Sequence, residues 1–349
     1  MKKKFLAGLA IILLLVGMVL TLSGCAGSDK PKLYVYNWGD YIDESVIDDF
    51  EKEYNVDVIY EAFATNEEMY VKIKAGTAKY DVAIPSDYMI SKMIKEDLLH
   101  MINLDNVPNY ALIDDRFKNL DYDPNNEYSV PYMWGTVGIL YNKKMVQEPV
   151  DSWKILWDEK YSKKILMLDS QRDSIGVALK MLGYSLNSKD QKELDEAKEM
   201  LIKQKPLLLA YVGDEVKDKM IGNEAALAVV WSGDAVYMKR ENPDLEYVIP
   251  KEGSNIWFDS MVIPKTSQNK ELAEKFINFM CSTDVAYRNA DYIGYSTPHK
   301  EVIKMLPQEL TSDPSYYPAE GDLQNSEVFE DLSDVLAIYD KIWTEVKSE

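Results

Sequence analysis

Short segments that are rich in aromatic and acidic residues recur along this sequence. They are residues 37–41 (Asn-Trp-Gly-Asp-Tyr), 85–88 (Pro-Ser-Asp-Tyr), 169–173 (Asp-Ser-Gln-Arg-Asp), 231–234 (Trp-Ser-Gly-Asp) and 257–259 (Trp-Phe-Asp). An ammonium group over a Trp or Tyr ring gains about 0.5–2 kcal/mol. A carboxylate ~4 Å away adds about 4 kcal/mol at an effective dielectric constant of about 20, before desolvation is counted. Aromatic walls also enclose a methylene chain, so these segments indicate binding of an organic cation.

The same residues also have a structural interpretation. A lone Trp after a strand is often a packing residue, and Asp87, Asp173 and Asp234 precede helix-like stretches, where Asp is a common N-cap. The recurrence of the pattern favours binding, because ligands of open α/β sheets lie at the carboxyl ends of the strands.

Apolar strands alternate with amphipathic helices from residue 32 onward. The pattern predicts strands at 33–36, 56–60 and 81–84 and helices at 43–54, 65–75 and 86–99. A second set follows, with strands at 165–168, 207–211, 226–230 and 246–249 and helices near 175–182, 188–205, 215–221 and 235–240. This order predicts an α/β fold of two lobes with parallel strands and right-handed crossovers. Helices at 270–280 and 328–346 are expected on the outside.

The first 25 residues have the layout of an export signal. Lys2, Lys3 and Lys4 precede an apolar stretch over 5–22, and residues 22–25 read Leu-Ser-Gly-Cys. This motif resembles the bacterial lipobox, which predicts removal of residues 1–24, lipid attachment at Cys25 and a short tether over 25–31. The chain would then be anchored at the outer face of the cytoplasmic membrane or in the periplasm. The alternative is an uncleaved membrane anchor, because the stretch is nearly long enough to span a bilayer.

Charge and composition exclude several classes of protein. Asp and Glu number 59 against 39 Lys and Arg, which gives a net charge of −20. Such a chain repels nucleic acid and attracts cations, so we expect no nucleic-acid partner. The two His and two Cys are scattered, which argues against a His/Cys zinc site and a disulfide framework. The sequence also lacks the strings of P-loop and nucleophile-elbow enzymes, so we expect no metal, no cofactor and no catalysis.

Three other functions compete with cation binding. A glycosidase needs paired carboxylates at a defined separation, which the sequence does not specify. A carbohydrate-binding lipoprotein would explain the Trp and Asp residues but not the acidic composition. A tyrosine-based iron carrier is suggested only by the 24 tyrosines. Residues 121–132 begin like a calcium loop, but Asn126 and Tyr132 replace the required Gly and Glu.

Segments along the whole mature chain resemble one family. Residues 36–41, 66–70, 80–86, 121–135, 231–234, 257–264 and 293–298 are similar, in order and spacing, to the spermidine/putrescine-binding proteins of bacterial ABC importers. The resemblance implies a periplasmic-binding-protein-like (type II) fold, with two hinge crossings and a polyamine between the lobes. It also implies a monomer that delivers its ligand to an ABC permease. We expect one lobe from residues 32–137 plus 259–303, and the other from 138–258 plus 304–349.

The resemblance also assigns site residues. Trp38 and Tyr41 match the family's first aromatic wall, and Ser86 and Tyr88 match contacts after the third strand. The other aromatic residues of the cage are matched by Trp231, Trp257 and Tyr295. Asp259 matches the carboxylate that holds a terminal ammonium, and Gln324 matches a glutamine near one end of the ligand.

Two departures bear on the choice of polyamine. Ser170 and Asp173 stand where spermidine binders often carry Asp and Glu, whereas the spacing of Trp231 and Asp234 resembles the putrescine-preferring branch. Asp173 and Asp234 are therefore expected to neutralise whatever charge Asp259 does not. We expect both polyamines to bind, with less than ~100-fold discrimination, a difference of under about 2.7 kcal/mol.

Overall fold

The computed structural model describes residues 30–348 of the chain. The predicted signal peptide, Cys25 and most of the predicted tether lie outside the described residues. Between residues 30 and 348, no helix has the length and apolar character needed to cross a membrane.

The α/β character predicted from the alternating pattern is confirmed. The strands are β1 Lys32–Trp38, β2 Asp57–Phe63, β3 Val82–Ala83, β4 Leu99–His100, β5 Ser129–Asn142, β6 Ile165–Leu168, β7 Leu208–Val212, β8 Leu227–Trp231, β9 Leu245–Val248 and β10 Ile256–Pro264. The helices are α1 Glu44–Tyr54, α2 Asn66–Ala75, α3 Asp87–Lys95, α4 Gln171–Leu182, α5 Gln191–Gln204, α6 Val216–Ile221, α7 Ser232–Glu241, α8 Lys270–Met280, α9 Thr283–Ile293, α10 Lys300–Met305, α11 Gln308–Thr311 and α12 Leu336–Ser348. Short 3₁₀ helices lie at Leu104–Asn106, Pro108–Leu112, Asp115–Phe117, Trp153–Trp157, Glu159–Tyr161, Lys205–Leu207 and Glu320–Leu323.

The strands form one sheet in the order β2-β1-β3-β10-β5-β8-β6-β7. In addition, β4 pairs with β10 and β9 pairs with β5. Strands β1, β2 and β3 are parallel, as are β6, β7 and β8. The two long strands β5 and β10 run antiparallel to each other and to the strands beside them. Strand β5 pairs with β10 over residues 129–136 and with β8 over residues 137–141, so it connects the two groups of parallel strands. The carboxyl ends of β3 and β8, at Ala83 and Trp231, pair with β10 and β5 beside this connection.

Separate hydrophobic cores lie on either side of β5 and β10. On one side the clusters are built around residues such as Phe50, Met69 and Phe276, and on the other around Trp153 and Leu194. Leu306 and Tyr316, which the sequence assigned to the second lobe, pack in the first-lobe core. Tyr316 donates a hydrogen bond to the carbonyl of Ala290, and its own carbonyl accepts one from Ser296. The lobe division itself stays a prediction, but this packing favours ending the first-lobe segment after Tyr316.

Several element boundaries differ from the predicted ones. Helix α3 ends at Lys95 rather than near residue 99, because Asp97 takes a left-handed conformation (φ +57°) and the chain then enters β4. The last helix begins at Leu336 rather than near 328. Residues 328–332 have no regular secondary structure and residues 333–335 form a turn. The side chains of Phe329 and Leu332 in this segment are buried, while Lys95 forms an ion pair with Asp331 and Lys92 donates a hydrogen bond to Ser333.

Candidate ligand-binding site

Asp259 lies in the middle of β10, where the strand passes between the two lobes. The register of β10 against β5 shifts between Asp259 and Ser260, and Asp259 also bridges to Ser86 at the start of α3. Such a bulge changes the direction of a side chain at a strand. The Asp259 carboxylate is consequently directed to the place where β10, α3 and the loop after β1 meet.

The Asp259 carboxylate is buried and only half satisfied. Its Oδ2 accepts a 2.8 Å hydrogen bond from the Tyr41 hydroxyl, whereas its Oδ1 is buried without a hydrogen-bond partner. Burial raises the pKa of Asp259 to about 6, and the hydroxyls of Ser86 and Tyr41 act against this rise. An unpaired buried acceptor costs free energy, so Oδ1 is a position that favours an incoming donor.

Aromatic rings pack against one another beside this carboxylate. The Tyr295 ring lies 5.7 Å from the Tyr41 ring and 5.1 Å from Trp257, both in edge-to-face contact. Two glycines permit this packing. A Cβ at Gly135 would lie 2.5 Å from the Trp257 ring, and one at Gly233 would lie 2.3 Å from Tyr295. Tyr41, Trp257, Asp259 and Tyr295, with Ser86 beside them, are thus brought together as the sequence predicted; we call them the Asp259 cluster.

Asp87 is a second buried acid beside this cluster, and its position differs from the predicted one. It is not an N-cap but the first residue of α3, which Ser86 precedes. Its carboxylate accepts hydrogen bonds from the backbone N–H groups of Phe258 and Tyr88. Burial, with a smaller contribution from the nearby charge of Asp259, raises the pKa of Asp87 to about 8, although the two backbone hydrogen bonds lower it.

Asp173 is also inside a helix, in the first turn of α4, where Ser170 is the N-cap. Its Oδ2 accepts a 2.7 Å hydrogen bond from the Ser170 hydroxyl, and its buried Oδ1 has no hydrogen-bond partner. Burial raises the pKa of Asp173, while Ser170, Arg172 and the amide of Asn255 lower it. Asp173 and Asn255 line one small internal cavity with Phe329. A second unsatisfied carboxylate oxygen therefore exists in the second lobe.

Asp234 lies in the first turn of α7 and carries a partner that the sequence did not predict. Its Oδ1 is 3.2 Å from the Nζ atom of Lys217, on α6. Burial raises the pKa of Asp234 and the Lys217 ammonium lowers it. The sequence had no local signal for this contact, because the two residues are on different helices.

Tyr88 has a partner that is equally unforeseen. The guanidinium of Arg172 lies 4.2 Å from the centre of the Phe329 ring and 5.7 Å from that of Tyr88. Arg172 is almost completely buried and donates hydrogen bonds to the Glu330 carbonyl and to Asn187 Oδ1. A protein cation therefore occupies one face of a ring that the sequence assigned to the ligand.

The remaining predicted residues are more dispersed. Trp38 is half-buried, and the centre of its ring lies 4.5 Å from that of Phe63. Trp231 is half-buried at the end of β8. Gln324 is exposed and lines a surface cavity with Lys180 and Glu252. The structure does not bring Gln324 to the Asp259 cluster.

The acidic loop before β5 has a structural role. Asp123 accepts hydrogen bonds from the backbone N–H groups of Glu127 and Tyr128 and from the hydroxyl of Ser129. Over residues 30–348, no group of three or more His, Cys, Asp or Glu is placed to hold a metal ion.

Comparison with known proteins gives a consistent result. Residues 45–318 match the family described as bacterial extracellular solute-binding protein. The spermidine/putrescine-binding periplasmic protein of Salmonella typhimurium is 37% identical over 333 residues, which cover 95% of this chain and 96% of that protein.

Solved structures agree with this match. The structure of a putative spermidine/putrescine ABC transporter from Listeria monocytogenes has a TM-score of 0.87 and 46% identity, over 90% of this chain and 98% of that chain. The Tp0655 lipoprotein of Treponema pallidum has a TM-score of 0.83 and 31% identity, over 90% and 99% of the two chains. The predicted type II two-lobe fold is confirmed, and the chain belongs to the bacterial extracellular solute-binding proteins.

Proposed function

We propose that this protein binds a polyamine, spermidine or putrescine, between its lobes and delivers it to an ABC permease. The observation that carries this proposal is the unpartnered Oδ1 of Asp259, on a carboxylate that Tyr41 binds and that lies beside the packed rings of Tyr41, Tyr295 and Trp257. A buried carboxylate oxygen calls for a donor, and the rings of Tyr41, Trp257 and Tyr295 favour a cation with an alkyl chain. The names of the relatives support the same ligand class.

The expected interaction free energies are consistent with micromolar binding of a polyamine. A charge-assisted hydrogen bond to a carboxylate contributes about 1.5–3 kcal/mol, and a desolvated cation–π contact about 2 kcal/mol. An ammonium held by Asp259 with aromatic contacts to its alkyl chain therefore supplies a large part of the roughly −8 kcal/mol of a micromolar complex.

A neutral sugar fits the site less well. Its hydroxyls would satisfy the free oxygens of Asp259 and Asp173 but would leave the buried negative charge of Asp259 without a cation. A buried charge is costly unless it is paired. The carboxylates therefore favour a cation over a carbohydrate.

Calorimetric titration of the mature protein tests the ligand class. We expect spermidine and putrescine to bind with micromolar or tighter affinity, and maltose and ferric citrate to show no heat of binding. Binding of maltose without binding of either polyamine would replace the proposal with the carbohydrate alternative.

The chain belongs to a family of binding proteins, and we propose that it returns its ligand chemically unchanged. Mass spectrometry after incubation with spermidine is expected to recover spermidine alone. Steady formation of a product would contradict this part of the proposal.

We also propose that the protein acts as a monomer whose lobes hinge at β5 and β10. The lobes are those predicted from the sequence, with the boundary near Tyr316 rather than at 303. Light scattering with and without spermidine is expected to give the mass of one chain in both cases.

We further propose that the exported protein is held at the membrane through a lipid on Cys25. The sequence of residues 22–25 supports this, and a structural relative is named as a lipoprotein. In the producing bacterium, Cys25→Ala is expected to abolish incorporation of labelled fatty acid. Cys281→Ala, which alters a buried thiol, is the matched control and should retain the label. Equal label in the wild type and Cys25→Ala would exclude the anchor.

A further inference from the structure

Lys217 places an ammonium group of the protein on an acid near the Asp259 cluster. Its Nζ atom lies 3.2 Å from Asp234 Oδ1 and 3.4 Å from Asp214 Oδ1. The side chain of Asp234 is 11% exposed and that of Lys217 is 26% exposed. Asp214 is almost fully exposed, so Lys217 is the cation that compensates the buried carboxylate.

Asp234 is electrostatically part of the candidate site. The backbone of Gly233, the residue before it, lies directly against the Tyr295 ring. The carboxylates of Asp234 and Asp259 both add to the rise in the pKa of Tyr295 that burial causes. One tyrosine therefore lies within range of both acids, and a ligand amine bound in this region would be affected by the charge state of each.

The acidic residues around the site differ in whether a carboxylate oxygen is left without a partner. Asp259 and Asp173 each keep a buried oxygen without a hydrogen-bond partner, whereas Asp234 is paired with Lys217. A diamine carries two ammonium groups, which equals the number of these acids that keep a buried oxygen without a hydrogen-bond partner. The third ammonium of a triamine would have to share Asp234 with a lysine that is tethered beside it. A tethered group competes strongly because its effective concentration is high.

We propose that Lys217 is a specificity-determining residue that occupies Asp234 and so disfavours a third positive charge on the ligand. This inference rests on the proposed polyamine binding. The sequence predicted that an ammonium group of the ligand binds Asp234, whereas in this inference the ammonium of Lys217 binds it. Removing the lysine would leave Asp234 as a buried, uncompensated carboxylate that a ligand amine can neutralise.

The test is calorimetric titration of Lys217→Met with spermidine and putrescine at about pH 7.5 and low salt, where ion pairs are least screened. We expect the ratio of spermidine affinity to putrescine affinity to rise about fivefold or more, equivalent to about 1 kcal/mol. Lys219→Met is the matched control, since Lys219 is on the same helix and pairs with Glu224. It should leave the ratio unchanged.

A second variant identifies the carboxylate responsible. In Lys217→Met/Asp234→Asn the gain for spermidine is expected to disappear, because the charge that the third amine would neutralise is gone. If Lys217→Met does not fold, Lys217→Gln, which keeps a donor for Asp234, is expected to shift the ratio in the same direction by a smaller factor.

Each outcome is decisive. An unchanged ratio, an equal gain for both ligands, a larger gain for putrescine, or a gain that persists in the double variant would overturn the role of Lys217. A wild-type protein that binds neither polyamine would instead contradict the proposed function.

Discussion

The Tyr41 hydroxyl donates a hydrogen bond of 2.8 Å to Asp259 Oδ2, across 218 positions of the sequence. The bond joins the loop after β1 to the middle of β10. It satisfies one carboxylate oxygen and leaves Oδ1 buried and free. Tyr41 thereby positions the Asp259 carboxylate, and its ring also packs against the Tyr295 ring.

Replacing the central acid is expected to weaken binding strongly. Asp259→Asn should reduce the binding free energy for spermidine by about 1.5–4 kcal/mol, because a buried charge-assisted contact is lost. Asp48→Asn, an exposed change on α1, is the control and should bind as the wild type does. If calorimetry finds Asp259→Asn within about twofold of the wild type, Asp259 does not anchor the ligand.

The raised pKa of Asp259, about 6, makes polyamine affinity dependent on pH. The cation binds the ionised carboxylate, so affinity is expected to fall as the pH decreases through about 6, by up to about tenfold per pH unit. Tyr41→Phe should move this fall to higher pH, because the Tyr41 hydroxyl lowers the pKa of Asp259. Titrations between about pH 5 and pH 8 measure both effects.

The pKa shift has the opposite effect on the stability of the ligand-free protein. The folded-state pKa of Asp259 is raised, so the folded state takes up the proton more readily than the unfolded state does. The contribution of Asp259 protonation to the free energy of unfolding is therefore fully present below about pH 4 and is lost as the pH rises through about 6. Compared with the wild type, Asp259→Asn should gain stability in urea unfolding at about pH 7.5 but not at about pH 4. An equal change at the two pH values would contradict the shift.

Gly233→Ala is expected to disturb the site through packing alone. The new methyl group would lie 2.3 Å from the Tyr295 ring, which must then move away from Tyr41 and Trp257. We expect spermidine affinity to fall about tenfold or more, since the ring loses its position for a cation–π contact. Gly321→Ala meets no atom within 4 Å and is the control. Unchanged affinity in Gly233→Ala would exclude Tyr295 as a ligand contact.

Arg172→Met tests the buried cation near Tyr88. The variant loses hydrogen bonds to Glu330 and Asn187 and the contact with Phe329, so we expect a loss of about 2–4 kcal/mol in the free energy of unfolding. Urea unfolding measures this loss. Arg240→Met, at an exposed position, should change stability by less than ~0.5 kcal/mol. Similar values for the two variants would show that the buried guanidinium contributes little.

Much of the candidate site could be proposed from the sequence, because its residues follow strands. The alternating pattern places residues such as Tyr41, Ser86 and Asp234 after β1, β3 and β8, and the carboxyl ends of strands in such sheets face a cleft. The family resemblance then singled out Asp259 and Tyr295. Local patterning and similarity were sufficient for this, because each signal lies within a few consecutive residues.

By itself, the sequence determined the α/β class, the succession of most strands and helices, and the aromatic and acidic segments of the site. Only the tertiary structure decided which acids are free. Asp234 is held by Lys217 and Asp259 is held by Tyr41, and the guanidinium next to Asp173 lies in an aromatic enclosure formed by distant residues such as Phe329. The physical reason is that charge compensation acts through space. An ammonium from another helix neutralises a buried carboxylate as effectively as a neighbour in sequence, and no local pattern records that approach.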